Sequence, residues 1–263
     1  MAGGSEDVLL REIVEGPRRA LVQLPDMRRI ERPGWFQLIT PSFRQGGFNE
    51  VVCSELPENE VDSIIEATVG EYRRLGVKFR WLVGARSRPA DLGARLERAG
   101  LIRSASCAMF LETPRPEVPF PAEDVPMPRD VTIEEVDDST LELYTRVMAT
   151  GWNVEEGPLE KAHRRIMQEN DRSQRFYLGR YQGRPAAVAG YLDLGHSAYL
   201  LGAVVLPDFR RHGLYRALVA ARLRDARARG LRLATSLARA ESSAPILERM
   251  GFRTVERLST YSG

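Results

Sequence analysis

The chain of 263 residues is 43% apolar and 28% charged, the balance of a globular protein long enough for two ordinary domains, and no apolar run approaches the roughly 20 residues a membrane helix needs. Its 38 basic and 36 acidic side chains are interleaved and leave a formal charge of +2, which argues against a nucleic-acid-reading surface. Cys53 and Cys107, the two cysteines, are too few for a disulfide scaffold or a metal cluster.

Both cysteines lie in apolar, strand-like stretches and are expected as buried thiols in a reducing, cytoplasmic setting. The opening MAGGSEDVLLRE has acidic residues where a secretory leader would have a basic start and an apolar run. Further along, Trp35 to Thr40 and Asn49 to Leu56 read as strands, and Val61, Ile64, Ile65, Val69 and Tyr72 form a helical stripe. Lys78 to Val83 is the next strand, with Phe79 and Trp81 as core side chains, and Pro89 to Ala99 reads as a helix. Six prolines between Pro114 and Pro128 remove backbone donors and disfavour regular structure, marking a linker.

After the linker, Val131 to Val136 is a strand, followed by a helix whose Ser139 and Glu142 have capping-box spacing and whose Leu141, Tyr144, Val147 and Met148 share a face. A second helix spans Pro158 to Glu169, with His163 expected at its surface. Arg175 to Tyr181 and Pro185 to Leu192 form a strand pair turning at Gln182-Gly183. Ala198 to Leu206 is a third strand. A glycine-containing loop then enters a helix with Tyr215, Val219, Leu223 and Ala226 on one side, while Arg222, Arg224, Arg227 and Arg229 read as its solvated face. Gly230 ends this helix. A strand (Leu231 to Leu237), a short helix (Ser243 to Met250) and a last extended stretch (Phe252 to Tyr261) complete the chain.

The two halves echo each other. ARLERAGL (Ala94 to Leu101) mirrors PILERMGF (Pro245 to Phe252), and VVCSELP runs into a helix ending at Gly76 as AVVLP runs into one ending at Gly230. Pro57 to Gly76 is 19 positions, whereas Pro207 to Gly230 is 23; the four extra residues fall at the glycine loop of the second half.

That loop lies in VVLPDFRRHGLYRAL, Val204 to Leu218. A helix start presents unpaired N–H groups and partial positive charge, so a diphosphate can dock there. Gly213 permits close approach and a positive φ. Arg210, Arg211 and Arg216 add charge and His212 a ring donor.

The stretch resembles motif A of the GNAT superfamily of amine N-acetyltransferases: Arg or Gln, two residues, Gly, one residue, then Gly or Ala. Arg210 and Gly213 match, and Tyr215 stands at the final position. PILERMGF is similar to the end of motif B, with Leu247 where a tyrosine is usual. The resemblance implies an α/β, mixed-sheet fold of two GNAT-like domains, each a mostly antiparallel twisted sheet flanked by helices with a splayed parallel strand pair. Residues 1–113 would be a degenerate copy without the pyrophosphate loop, 114–130 the Pro-rich linker, and 131–263 the acyl-CoA-binding copy, as in tandem GNAT proteins.

It further implies an N-acyltransferase that moves an acyl group, acetyl first, from CoA to a primary amine of a small molecule or peptide by direct attack. No metal, nucleic acid or membrane enters this chemistry, and the chain would act as a monomer or homodimer. Acetyl-CoA or another acyl-CoA would be held by Val204, Val205, Leu206, Arg210, Arg211, His212, Gly213, Leu214, Tyr215 and Arg216. A backbone N–H near Val205 would meet the acyl carbonyl. For proton transfer the candidates by position are His196, Asp193 and Glu241 as base and Ser242, Ser243 or water as acid; an ordinary solvated turn or surface role is the better reading of any one of the three bases. Trp152, Tyr191 and Tyr199 are candidates for the acceptor wall or, alternatively, packing aromatics. A non-catalytic acyl-CoA-binding regulator is the competing reading, and a ligand-free interaction module a third.

Overall fold

Apolar alternation and glycine-ended helical stripes build eleven strands into one mixed sheet, in the order β1-β2-β3-β4-β11-β5-β10-β9-β8-β7-β6. The computed structural model describes residues 2–115, 117–122, 125–169 and 173–263, with side chains from Glu6 onward. A helical segment comes first: α1 (Ala2–Leu10), a π-helical turn (Arg11–Glu15) and α2 (Gly16–Arg19). The first half continues as β1 (Arg28–Arg32), β2 (Trp35–Ile39), β3 (Glu50–Val52), α3 (Val61–Leu75), β4 (Arg80–Val83), α4 (Leu92–Arg98) and β5 (Ile102–Glu112). The second comprises β6 (Val131–Glu135), α5 (Leu141–Trp152), α6 (Glu156–Met167), β7 (Gln174–Tyr181), β8 (Arg184–Asp193), β9 (Ser197–Val205), α7 (Leu214–Ala228), β10 (Leu233–Arg239), α8 (Ala244–Arg249) and β11 (Arg253–Ser262).

The halves exchange their last strands. β11 pairs antiparallel with β4 and β5, and β5 pairs antiparallel with β10. Each terminal strand thus satisfies its backbone across the other half, and the two expected sheets fuse into one. Cys107 and Met109 of β5 face a core formed with α7 and α8, while Tyr261 of β11, on the same side, packs with α3 and α4. Ala108 and Leu258 point to the opposite side, against Ile13 of the π turn. That side also carries α5 and α6 over Phe176, Leu178, Val188 and Val204.

Local expectations meet the structure unevenly. Gln182 and Gly183 both take positive φ (48° and 76°), as a tight hairpin turn requires. Gly76 and Gly230 close α3 and α7 at φ of 64° and 83°. The capping box does not form: Oδ1 of Asp137 accepts the amides of Ser139 (2.9 Å) and Thr140 (3.0 Å), while Glu142 pairs with Arg146 one turn on. Cys107 is buried, but Cys53 is only half-buried at φ 61°; burial, with Glu15 adjacent, pushes its thiol up to about 12.

The supposed solvated face of α7 is partly interior, because the linker lies along this helix. Phe120 and Ala122 pack into the α7 core. Arg227 donates to the carbonyl oxygens of Arg115 (2.8 Å) and Val118 and stands over the Phe120 ring. Arg222 is 1% exposed and donates to the carbonyl oxygens of Leu218 (3.0 Å) and Gly190 (2.9 Å); burial lowers its pKa.

Because β11 and β5 close both halves at once, Leu258→Ala should destabilise them together, by about 2–4 kcal/mol for a buried leucine. In a Trp152→Phe background, fluorescence from Trp35 and Trp81 and far-UV circular dichroism should report one coincident denaturant transition, shifted equally. Two separate transitions would refute a shared core.

Candidate functional site

β9 and β10 run parallel but pair only at Ser197, Ala198 and Tyr199 with Leu233, Ala234 and Thr235. Beyond that the strands part, and Ser236 Oγ donating to the Leu200 carbonyl (3.2 Å) is the last link across. The cause lies in β9, where the pairing with β8 shifts register between Val188 and Gly190 and Gly202 takes φ 65°; such a bulge bends its strand away from the ladder. Gly151 fixes the other side of β9, since a Cβ there would collide with the Val204 side chain. Trp152, at the end of α5 and 41% exposed, follows directly.

In the first half the equivalent gap is closed. β3 and β4 pair at Glu50–Arg80 and Val51–Trp81. Arg88 N–H then donates to the Ser54 carbonyl (2.8 Å) and Leu56 N–H to the Arg88 carbonyl (3.1 Å). The Trp81 indole N–H completes the seam on Ser54 Oγ (2.6 Å).

From the open end of β9 the chain makes a 3-10 turn (Pro207–Phe209), passes Arg210 to His212 and enters α7. Arg211 and Gly213 hold positive φ (68° and 82°), and no side chain caps the helix at Gly213. Ala217 N–H bonds the Gly213 carbonyl, so the amides of Leu214, Tyr215 and Arg216 precede the first helical acceptor and point out of the helix. A Cβ at Gly213 would stand 2.8 Å from Cγ of Pro128, so the linker flanks the turn. Arg210, Arg211 and Arg216 are exposed, and among the described residues none is paired with a carboxylate. His212 lies over Tyr181, with ring centroids 4.2 Å apart. The Tyr215 ring packs against the core formed by α7 and α8; burial raises its pKa against the effects of Arg222 and Ser243.

The remaining sequence candidates divide by end of the sheet. Glu241 and Ser242 follow β10 and are exposed at the same end as the loop. Asp193 and His196 belong to the β8–β9 turn, where Asp193 Oδ1 accepts the Gly195 amide (2.7 Å). The whole of β9, about 30 Å of strand, separates this turn from the loop. Tyr191 is buried beneath α7 and donates to Asp225 Oδ2 (2.5 Å), which also accepts Tyr177 (2.8 Å). The Tyr199 hydroxyl bonds Arg18 (3.2 Å). Leu247 is 1% exposed in the core.

Two clusters were not legible in the sequence. His163 is buried, not at the surface: its Nδ1 bonds Thr145 Oγ1 (2.8 Å), and its ring packs edge-on against Tyr144 and Phe176 below Gly190 and Gly202. Arg18, at the end of the unassigned N-terminal helices, pairs with Glu50 (2.8 Å), which also binds Arg80. Burial alone would raise the Glu50 pKa, but the two guanidinium groups hold it below the ordinary value. The only signal in the sequence is the apolar spacing of Leu9, Leu10, Ile13 and Val14; the pairing itself is tertiary.

Residues 138–252, under half of the chain, match the model of the Acetyltransferase (GNAT) family. A search of curated protein sequences gave no match. Among solved structures, a functionally unknown conserved protein from Staphylococcus epidermidis is similar at TM-score 0.67 and 14% identity, over 91% of this chain and 94% of that one. A GCN5-related N-acetyltransferase from Kribbella flavida aligns at TM-score 0.65 and 15% identity, over 98% and 94%. A tandem GNAT protein from the clavulanic acid biosynthesis pathway aligns at TM-score 0.59 and 13% identity, over 98% and 86%. At these identities the likeness is one of fold, and family and fold together support acyl transfer.

The cluster beneath the bulge gives a pH dependence. Burial lowers the His163 pKa from 6.5 to about 4, so between those values the unfolded chain binds more protons. Its contribution, about 3 kcal/mol, is fully present above pH 6.5 and is lost as pH falls towards 4. Unfolding free energies measured across this window should show the slope in the parent and a shallower one in His163→Asn.

Proposed function

Taking residues 138–252 as a GNAT-family acetyltransferase domain, we propose that the chain is an acyl-CoA-dependent N-acyltransferase that acetylates a primary amine of a small molecule or peptide. The observation that carries this reading is the uncapped turn at Gly213, opening beside the one parallel strand pair that separates. The residues fit a diphosphate: consecutive outward amides, a glycine at φ 82°, and three exposed arginines that, among the described residues, have no carboxylate partner. The Tyr215 side chain, although larger than the family's usual residue, packs into the α7 and α8 core and leaves the amides uncovered.

When bound, acetyl-CoA would supply the activated acyl group. The chain's own part is to orient the pyrophosphate with the amides of residues 211–216, to lay the pantetheine arm along the unpaired side of Val204, Val205 and Leu206, and to offer a preorganised N–H near Val205 to developing negative charge. Glu241, exposed just after β10 at the loop end of the sheet, would take a proton from an incoming ammonium, directly or through water. The first half, with its seam closed by Ser54, Arg88 and Trp81, would act as a degenerate copy that covers the acceptor cleft.

A non-catalytic acyl-CoA sensor is favoured by one feature, the buried Leu247, which puts no hydroxyl where the family usually has a tyrosine. Calorimetric titration with CoA, together with thiol release from acetyl-CoA across a broad amine panel, separates the two readings. Binding with turnover supports the transferase, and binding without turnover of any amine supports the sensor. Gly213→Val, which forces a β-branched residue to positive φ and against Pro128, should weaken CoA binding at least tenfold; unchanged affinity would refute both.

A further inference from the structure

We infer that the acceptor binds on the sheet face that carries α5, α6 and the N-terminal helices, and that this acceptor bears an anionic group besides its amine. The inference rests on the transferase reading and specifies its substrate class.

The shape of that face follows from one guanidinium. Tyr199 on β9 and Glu50 on β3 lie five strand steps apart, about 24 Å in a flat sheet. Yet Arg18 bonds both, at 3.2 and 2.8 Å. The sheet must therefore curl so that side chains on this face converge; the N-terminal helices fill the concavity over Ala108, Leu237 and Leu258, and strands of both halves meet at its loop end.

Its charge is set by side chains whose register fixes their direction. Arg239 pairs with Ser106 and shares a face with Leu237, which packs towards the N-terminal helices. It ends β10 after that strand has left β9, which places it beside the gap assigned to the pantetheine arm. Arg239 is exposed and, among the described residues, has no carboxylate partner. Arg80, with its side chain 45% exposed, lies on the same face through its pairing with Glu50. Between them the floor is hydroxylic: Ser106 Oγ bonds Thr260 Oγ1 (3.2 Å), and Ser104 Oγ donates to the Thr260 carbonyl (3.3 Å).

Arg239 and the half-exposed Arg80 thus bring more positive charge to the loop end of this face than is offset there by Glu241 and by Glu50, which Arg80 shares with the buried Arg18. The other acids facing it are engaged away from Arg239. Glu12 bonds Ser197 Oγ, Glu15 lies beside Cys53 and Arg19, and Glu256 accepts the Ala85 amide (2.5 Å). A neutral amine would leave the excess positive charge of this end unmatched, whereas a carboxylate or phosphate would match the planar forks of Arg239 and Arg80. Trp152, exposed at the end of α5, offers an apolar wall on the opposite side of β9.

The test compares matched acceptors in the thiol-release assay: L-leucine with L-leucinamide, L-glutamate with its diamide, and O-phosphoethanolamine with ethanolamine. The anionic member of at least one pair should show a kcat/KM tenfold or more above its neutral partner. Arg239→Gln should reduce that preference to about twofold, with CoA affinity as the control for folding. Equal or greater turnover of every neutral member, or a preference untouched by the substitution, overturns the inference while leaving the transferase reading intact. If CoA binds but no amine turns over, that reading fails, and calorimetric titration of the same pairs into CoA-saturated protein decides the anion site: an anion preference lost in Arg239→Gln supports it, and none overturns it.

Discussion

The structure depends on one missing interaction, the backbone ladder that β9 and β10 begin and do not continue. Three residue pairs hold them together at one end, and the bulge at Gly202 with the register shift opposite Gly190 bends β9 away. A buried backbone group without a partner costs about 1–3 kcal/mol, and several in succession would be untenable in the middle of a sheet. They are tolerable here because the parting falls at the strand ends, where the loop, the start of α7 and the turn after β10 are open to solvent. The same exposure makes them available to a ligand's own polar groups.

Keeping such an opening near the centre of an eleven-stranded sheet requires rigidity elsewhere, and the exchanged strands provide it. β5 and β11 make a long antiparallel pair with one bulge, flanked by β4 and β10. Closing either half therefore means closing both. The first half shows the alternative outcome with similar material: Ser54, Leu56 and Arg88 pair across the gap, Trp81 fills it, and α3 begins without an intervening anion loop. Backbone hydrogen bonds and indole packing there occupy what stays open in the second half.

Much of the architecture was legible because it is local. Tyr72, Val69 and Ile65 recur at helical spacing, Gln182-Gly183 demands a left-handed turn, and Gly76 and Gly230 stop helices for the same stereochemical reason. The loop was legible because Arg210, Gly213 and the helix behind them are contiguous. Where short-range patterns compete, the reading went astray. Ser139 and Glu142 have the spacing of a capping box, but Asp137 sits closer to the free amides. His163 and Arg222 are polar residues on helices, and only the arrival of Phe176, Gly190 and the linker makes their surroundings interior.

The sequence by itself determined the order of elements, the repeat, and the presence of one glycine turn opening a helix, because each is written in residues that touch along the chain. It did not determine which strands pair at the centre, that Asp193 and His196 lie at the end of β9 away from the glycine loop, or that Arg18, Glu50 and Tyr199 meet. Those were decided by strand exchange and sheet curvature, which bring together residues more than a hundred positions apart. No pattern of spacing can report such a distance, since it is fixed by which packed arrangement satisfies every backbone group and not by any one segment's preference.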